Sequence, residues 1–354
     1  MNRLLIFIVG SWLICNMSFA QTPTYHSDPH WHLKWEDNFD DSFDSFIWLK
    51  AYNGDHGSNC LYQKENVWVE GGNLVIEANS DRGYCPPKPH EVPTWACGDC
   101  TEGWHPYTSG WVETRSAYFP HYGYIEARVK LPFIPNFFHH AFWTWKGYFE
   151  QARNQAEIDI FEMASHFYPS DNIFTTSVHE CYKSTTTPDC DERKYTQIHT
   201  IPNFTYTDWH TYAIEWDVNR IVWYLDSIIL RTLPNHDIID PVRIILGIGV
   251  ANPIDAFREQ MYVDYVKVYQ LHCDLKPVTE ILNYDNPQLP NYYNYAVKKS
   301  ISLNGISSLK QGQKVSLRAT DYIELTSGFE VPLNAELYLD VTPCVARVKK
   351  EQDR

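Results

Sequence analysis

The 354-residue sequence predicts an all-β fold, and three observations predict it. Helical periodicity is almost absent, runs rich in β-branched and aromatic residues recur at short intervals, and Gly, Pro, Asn and Asp punctuate them. Many short strands separated by turns fold as a sandwich or a barrel. The expected strands cover 73–78, 110–119, 124–131, 140–145, 157–163, 174–179, 210–216, 221–230, 242–248 and 261–269. Residues 84–107 are rich in Pro, Cys and Gly and read as a long loop.

The ends of the chain read differently. Arg3, an apolar run from Leu4 to Cys15 and the small-x-small site Ser18-Phe19-Ala20 predict a cleaved export signal over 1–20. The run is too short for a comfortable membrane span, so no membrane insertion is expected. The chain is expected to be secreted or held at the cell surface. Residues 21–272 are read as one large β-sandwich and 273–293, dominated by Pro, Asn, Asp and Tyr, as a linker. Strand-like pieces at 299–303, 314–317, 322–325 and 335–341 predict a small β-module over 294–344, followed by a charged tail, 345–354.

The formal charge of −15 argues against nucleic acid as a partner and favours a neutral ligand. The 13 Trp, 24 Tyr and 17 Phe fit a carbohydrate cleft, where rings stack on sugars, and fit equally a pleated all-β core. Nine cysteines include Cys15, which leaves with the signal. The even remainder in an exported chain points to disulfides. Cys181 and Cys190 would close a short loop, and Cys273 and Cys344 bracket the C-terminal module. Cys97 and Cys100, with Cys85 and Cys60 nearby, leave a zinc site as the lesser option.

The segment Ala156-Glu157-Ile158-Asp159-Ile160-Phe161-Glu162-Met163 carries the chemistry. Side chains alternate along a strand, so Glu157 and Asp159 share a face while Ile158 and Ile160 point into the core. In a regular strand Glu162, five residues after Glu157, would point inward, and an unpaired carboxylate there is costly. One extra residue, a β-bulge near Ile160-Phe161, turns it back outward. Three carboxylates on one face repel each other. A solvated strand face could carry them, and so could an active site. Retaining glycosidic cleavage needs such a set: one ionised carboxylate to attack and one protonated carboxyl to assist departure, about 5–5.5 Å apart. Asp159 would orient the nucleophile, and crowding would keep the acid protonated.

Glu157-Ile158-Asp159-Ile160-Phe161-Glu162 resembles the active-site strand of glycoside hydrolase family 16, in its bulged variant. Several other segments are similar to the family's strands in the same order. They are Tyr107-Thr108-Ser109-Gly110, Tyr122 through Pro132, Ala141-Phe142-Trp143, Trp209 through Trp216, Ile221 through Asp226, and Met261 through Tyr269. The likeness spans about residues 31–270.

The resemblance implies a β-jelly-roll sandwich whose concave sheet forms an open cleft. It implies Glu157 as nucleophile, Asp159 as helper and Glu162 as acid/base, with internal cleavage of a β-linked polysaccharide. Trp143 and Trp145 share parity and would stack on sugar rings; His179 would lie in the cleft, close to the acid. His139 and His140 are adjacent, point to opposite faces and do not form a metal pair. No cofactor is expected for catalysis. Family members carry a structural calcium, whose ligands would here be Asn38, the Gly72 carbonyl and Asp264, with Asn38 where an acid is usual. The expected substrate is a β-1,3- or mixed-linkage glucan, acted on by a monomer. Laminarinase-like members have Trp-Pro and then Gly before the first Glu, whereas Asn154-Gln155-Ala156 stands here. That departure keeps a galactan hydrolase (agarase, porphyranase or carrageenase type) open. A non-catalytic carbohydrate-binding sandwich is the remaining alternative.

Overall fold

The computed structural model describes residues 30–51, 59–87, 100–133, 135–146, 154–182, 191–236, 238, 240–281, 284, 296–341 and 344. The expected signal, the tail, part of the linker, Cys97 and Cys190 lie outside the described residues. Among the described residues no helix is long and apolar enough to cross a membrane.

Two large sheets pack face to face. The seven-stranded sheet runs Asp191–Thr200, Ile173–Tyr182, Asn154–Ala164, Phe138–Trp145, Arg243–Val250, Trp111–Thr114 and Trp48–Lys50, antiparallel throughout. The second sheet has ten strands, with His210–Trp216, Gly123–Lys130, Arg258–Leu271 and Asn73–Asn79 at its centre.

Phe138–Trp145 shows why the layers form. Phe138, His140, Phe142 and Thr144 are buried, while His139, Ala141, Trp143 and Trp145 are half-buried on the other face. This two-residue period is that of a strand with one face in the core. Phe142, Ile158, Phe161 and Met163 of the seven-stranded sheet share a core with Ile125, Ile214, Trp223 and Val266 of the other. Burial makes His140 a neutral core residue: desolvation, with His139 adding to it, pushes its imidazole down to about 3.

Local differences from the expected strands have physical causes. The run 221–230 is two strands, Arg220–Leu225 and Ile228–Pro234, turning at Asp226 and Ser227 with φ of 48° and 69°. Asp and Ser take this left-handed turn without the glycine that usually signals it. The run 110–119 shortens to Trp111–Thr114 and then coils over Ser116–Tyr118. Its leading Gly110 is required by packing, since a Cβ there would lie 2.5 Å from the Asn66 carbonyl oxygen. Asp191–Thr200 is a charged edge strand, a composition that discourages pairing with other chains and hides the strand from pattern reading.

Cys85 is bonded to Cys100 at the root of the expected long loop, where Gly83–Cys85 pairs with Gly103–His105. That bond replaces the zinc option. Cys60 is buried, with its sulfur directed at the Ile248 carbonyl. Cys273 is bonded to Cys344. Between them Lys298–Leu303, Lys314–Leu325 and Glu336–Val341 form a parallel three-stranded sheet, with 314–317 and 322–325 joined in one strand. Part of the expected linker is built into this unit: Val278 bridges Ile301, and Val278, Ile281 and Tyr284 are buried in its core.

Candidate active site

The strand Asn154–Ala164 carries a bulge. On one side Phe142 faces Phe161 while Trp143 faces Asp159, so Ile160 is the extra residue. On the other, Asp159 faces Ser177 and Glu162 faces Thr175. Ile158, Ile160, Phe161 and Met163 are all buried. The Trp223 indole, from the opposite sheet, donates from Nε1 to the Asp159 carbonyl at 2.9 Å. It thereby satisfies a backbone acceptor at the point where the ladder is disrupted.

The consequence is that Glu157, Asp159 and Glu162 all line one cleft of about 490 Å³. Tyr62, Trp111 and Trp143 also line it, together with Ala141, Gly247 and Gly249, which leave the backbone accessible. Trp143 lies edge-on to Trp111 at 5.3 Å and 6.4 Å from Trp145. Trp145 shares that face, pairs with Glu157 across the ladder and lies under the Arg243 guanidinium.

His179 lies at the Glu157 end, with Nε2 3.3 Å from Asp159 Oδ2 and 3.7 Å from Glu157 Oε1. The imidazole at Glu162 is a different one. His139 Nε2 is 2.9 Å from Glu162 Oε1, while Ser177 Oγ donates to Oε2 at 3.2 Å and Thr175 Oγ1 approaches it at 3.5 Å. Adjacency rules out a metal pair of His139 and His140 and by itself gives His139 no role. Strand parity against Ala141 and Trp143 is the signal that finds it. Tyr62, Trp111 and His166 had no local signal, since they reach the cleft through sheet topology alone.

The protonation pattern differs from the expected one. Burial, then Asp159, pushes Glu157 up to about 8 despite His179. Burial, then the Glu162 charge, raises Asp159 well above the carboxylate range. Burial would raise Glu162 too, but the His139 hydrogen bond and charge, with Lys194 and His179, bring it down to about 2. In the free site these interactions favour placing the negative charge on Glu162 over Glu157 or Asp159. Moving one proton along the strand, with no change in net charge, converts this form into one with Glu157 ionised and Glu162 protonated.

Residues 54–267 match the sequence profile of glycosyl hydrolases family 16, well over half of the chain. The chain belongs to that family. It is similar to a beta-glucanase of Rhodothermus marinus, 28% identical over 313 residues, covering 76% of this chain and 95% of the relative. The family-16 sandwich overlays the laminarinase catalytic domain of Thermotoga maritima MSB8 with a TM-score of 0.54 and 26% identity, over 68% of this chain and 98% of that one. The kappa-carrageenase of Pseudoalteromonas carrageenovora shares the fold, with a TM-score of 0.57 at 19% identity, over 68% of this chain and 94% of that one. Membership makes the protein an endo-acting hydrolase of β-glycans, a chemistry that needs no cofactor.

The family's structural calcium is a separate question. Topology brings its three expected ligands near one another: Asp37 faces Val266 and Leu74 faces Val263, so Asn38, Gly72 and Asp264 meet at one junction. Asp264 Oδ2, however, accepts from Arg128 Nη1 at 2.6 Å. A carboxylate already neutralised by a guanidinium, beside a neutral amide and a carbonyl, does not fit a resident calcium.

Proposed function

We propose that the protein is an extracellular, endo-acting, retaining β-glucanase that cleaves β-1,3- or mixed-linkage glucan. Glu157 attacks the anomeric carbon while Glu162 protonates the departing oxygen; Glu162 then takes a proton from the water that releases the glycosyl-enzyme. Asp159, between them and beside His179, orients Glu157 and buffers the charge of the strand. Trp143 and Trp111 stack on the sugar that reacts. The observation that carries this reading is the bulge at Ile160, which turns Glu162 onto the face of Glu157 and Asp159. Export is supported by the N-terminal sequence and two disulfides. We further read the parallel sheet near the C-terminus as a separately packed module, because it has its own apolar core.

A galactan is the second reading, favoured by Asn154-Gln155-Ala156 before Glu157 and by the imidazoles of His139 and His166 in the cleft. Incubation with laminarin, lichenan, agarose, porphyran and kappa-carrageenan, followed by product sizing, separates the two. The expected result is internal cutting of laminarin or lichenan, with a ladder of intermediate products. Cleavage confined to the galactans overturns the glucan assignment, and monosaccharide release from the outset overturns the endo mode.

A further inference from the structure

The residue that stands out is His139. It comes from Phe138–Trp145, the strand beside the carboxylates, and its ring is partly exposed in the cleft. Its Nε2 meets one oxygen of Glu162 while Ser177 occupies the other, so both oxygens of that carboxyl are held. The His139–Glu162 contact, at 2.9 Å, has the length of a charge-assisted hydrogen bond.

We propose that His139 is a positioning residue for Glu162: by donating from Nε2 to Oε1 it aims the acid/base carboxyl and sets which carboxyl of the strand carries the proton. This inference rests on the acid/base reading of Glu162.

Every other charged group packed around Glu162 lies on a different element or further along its own. Glu157 and Asp159 precede it on the same strand, His179 lies on Ile173–Tyr182 and Lys194 on the edge strand Asp191–Thr200. His166 follows in the turn, its ring 5.7 Å from that of His139 and its Nδ1 directed at the Phe138 carbonyl. Of these, His139 and Asp159 meet Glu162 through side-chain hydrogen bonds, and the His139 contact does most to lower the Glu162 carboxyl.

While His139 donates, Glu162 is stabilised as a carboxylate, and the proton needed for leaving-group departure rests elsewhere on the strand. The productive arrangement forms when that proton passes to Glu162 and an equal negative charge appears on Glu157. No proton enters or leaves the site in this exchange. His139 therefore holds back premature protonation of Glu162 and sets the acid limit below which Glu162 is protonated together with Glu157.

Two variants separate aim from charge. His139→Leu removes both the donor and its charge, whereas His139→Gln keeps a neutral donor. The expected result is an acid limb of kcat/KM that moves to higher pH by about one to three units in His139→Leu, and by less in His139→Gln. A purely structural role would lower activity or melting temperature without moving that limb. The second readout needs no activity: carboxyl-¹³C glutamate labelling, with the Glu162 resonance assigned by Glu162→Gln. Glu162 is expected to titrate at higher pH in His139→Leu than in the wild type. If wild-type protein cleaves none of the polysaccharides, the catalytic reading fails while this titration still reads the pairing. Coincident Glu162 titrations in the folded wild type and His139→Leu overturn the proposal.

Discussion

Glu157→Gln is expected to lower polysaccharide cleavage by on the order of 10⁴-fold or more, because an amide cannot form the covalent glycosyl intermediate and the other route open is attack by unassisted water. Binding of the polymer should survive, since Tyr62, Trp111 and Trp143 are untouched. The same substitution should stabilise the fold at high pH. Burial and Asp159 raise the Glu157 carboxyl from 4.5 to about 8, so its protonated form is the one that suits the folded state. Its contribution is fully present below about pH 4.5 and is lost as the pH rises through 8. Glu157→Gln removes that dependence, and its melting temperature should exceed that of the wild type near pH 9. Sedimentation with insoluble glucan, reducing-sugar assays and a melting series against pH check the three parts.

Glu162→Gln is expected to fail differently. Loss of acid assistance should cost about 10²- to 10⁴-fold on the natural polymer. An aryl glycoside with a dinitrophenol leaving group departs without protonation, so formation of its glycosyl-enzyme should be nearly unaffected. The release step then lacks its general base, and the intermediate should accumulate as a burst followed by slow turnover. Pre-steady-state release of the phenol checks this. Equal losses on both substrates would remove Glu162 from the acid/base role.

Much of the site was legible in the sequence because β geometry is strict. A two-residue period and the high cost of burying a carboxylate together require an extra residue between Asp159 and Glu162, and Ile160 supplies it. The partner that satisfies this bulge, Trp223, lies 64 residues away on the opposite sheet, and no local pattern announces it. Strand parity placed Trp143 in the cleft wall, yet the same parity could not say that Arg243 would cover Trp145. The protonation pattern was illegible for a related reason. Crowding alone predicts that one carboxyl is raised, but which one depends on a hydrogen bond from the neighbouring strand. The surroundings of Asp264 were illegible for the same reason, because Arg128 reaches it across a pairing that only the folded sheet creates.

The most direct measurement is to trap the intermediate. The wild-type protein would be incubated with a 2-deoxy-2-fluoro glucan oligosaccharide carrying a dinitrophenyl leaving group, digested and mapped by mass spectrometry. The expected result is one glycosyl adduct on the peptide containing Glu157, absent from Glu157→Gln. An adduct on Glu162, or natural products released with inverted anomeric configuration, would contradict the assignment of Glu157 as the attacking carboxylate.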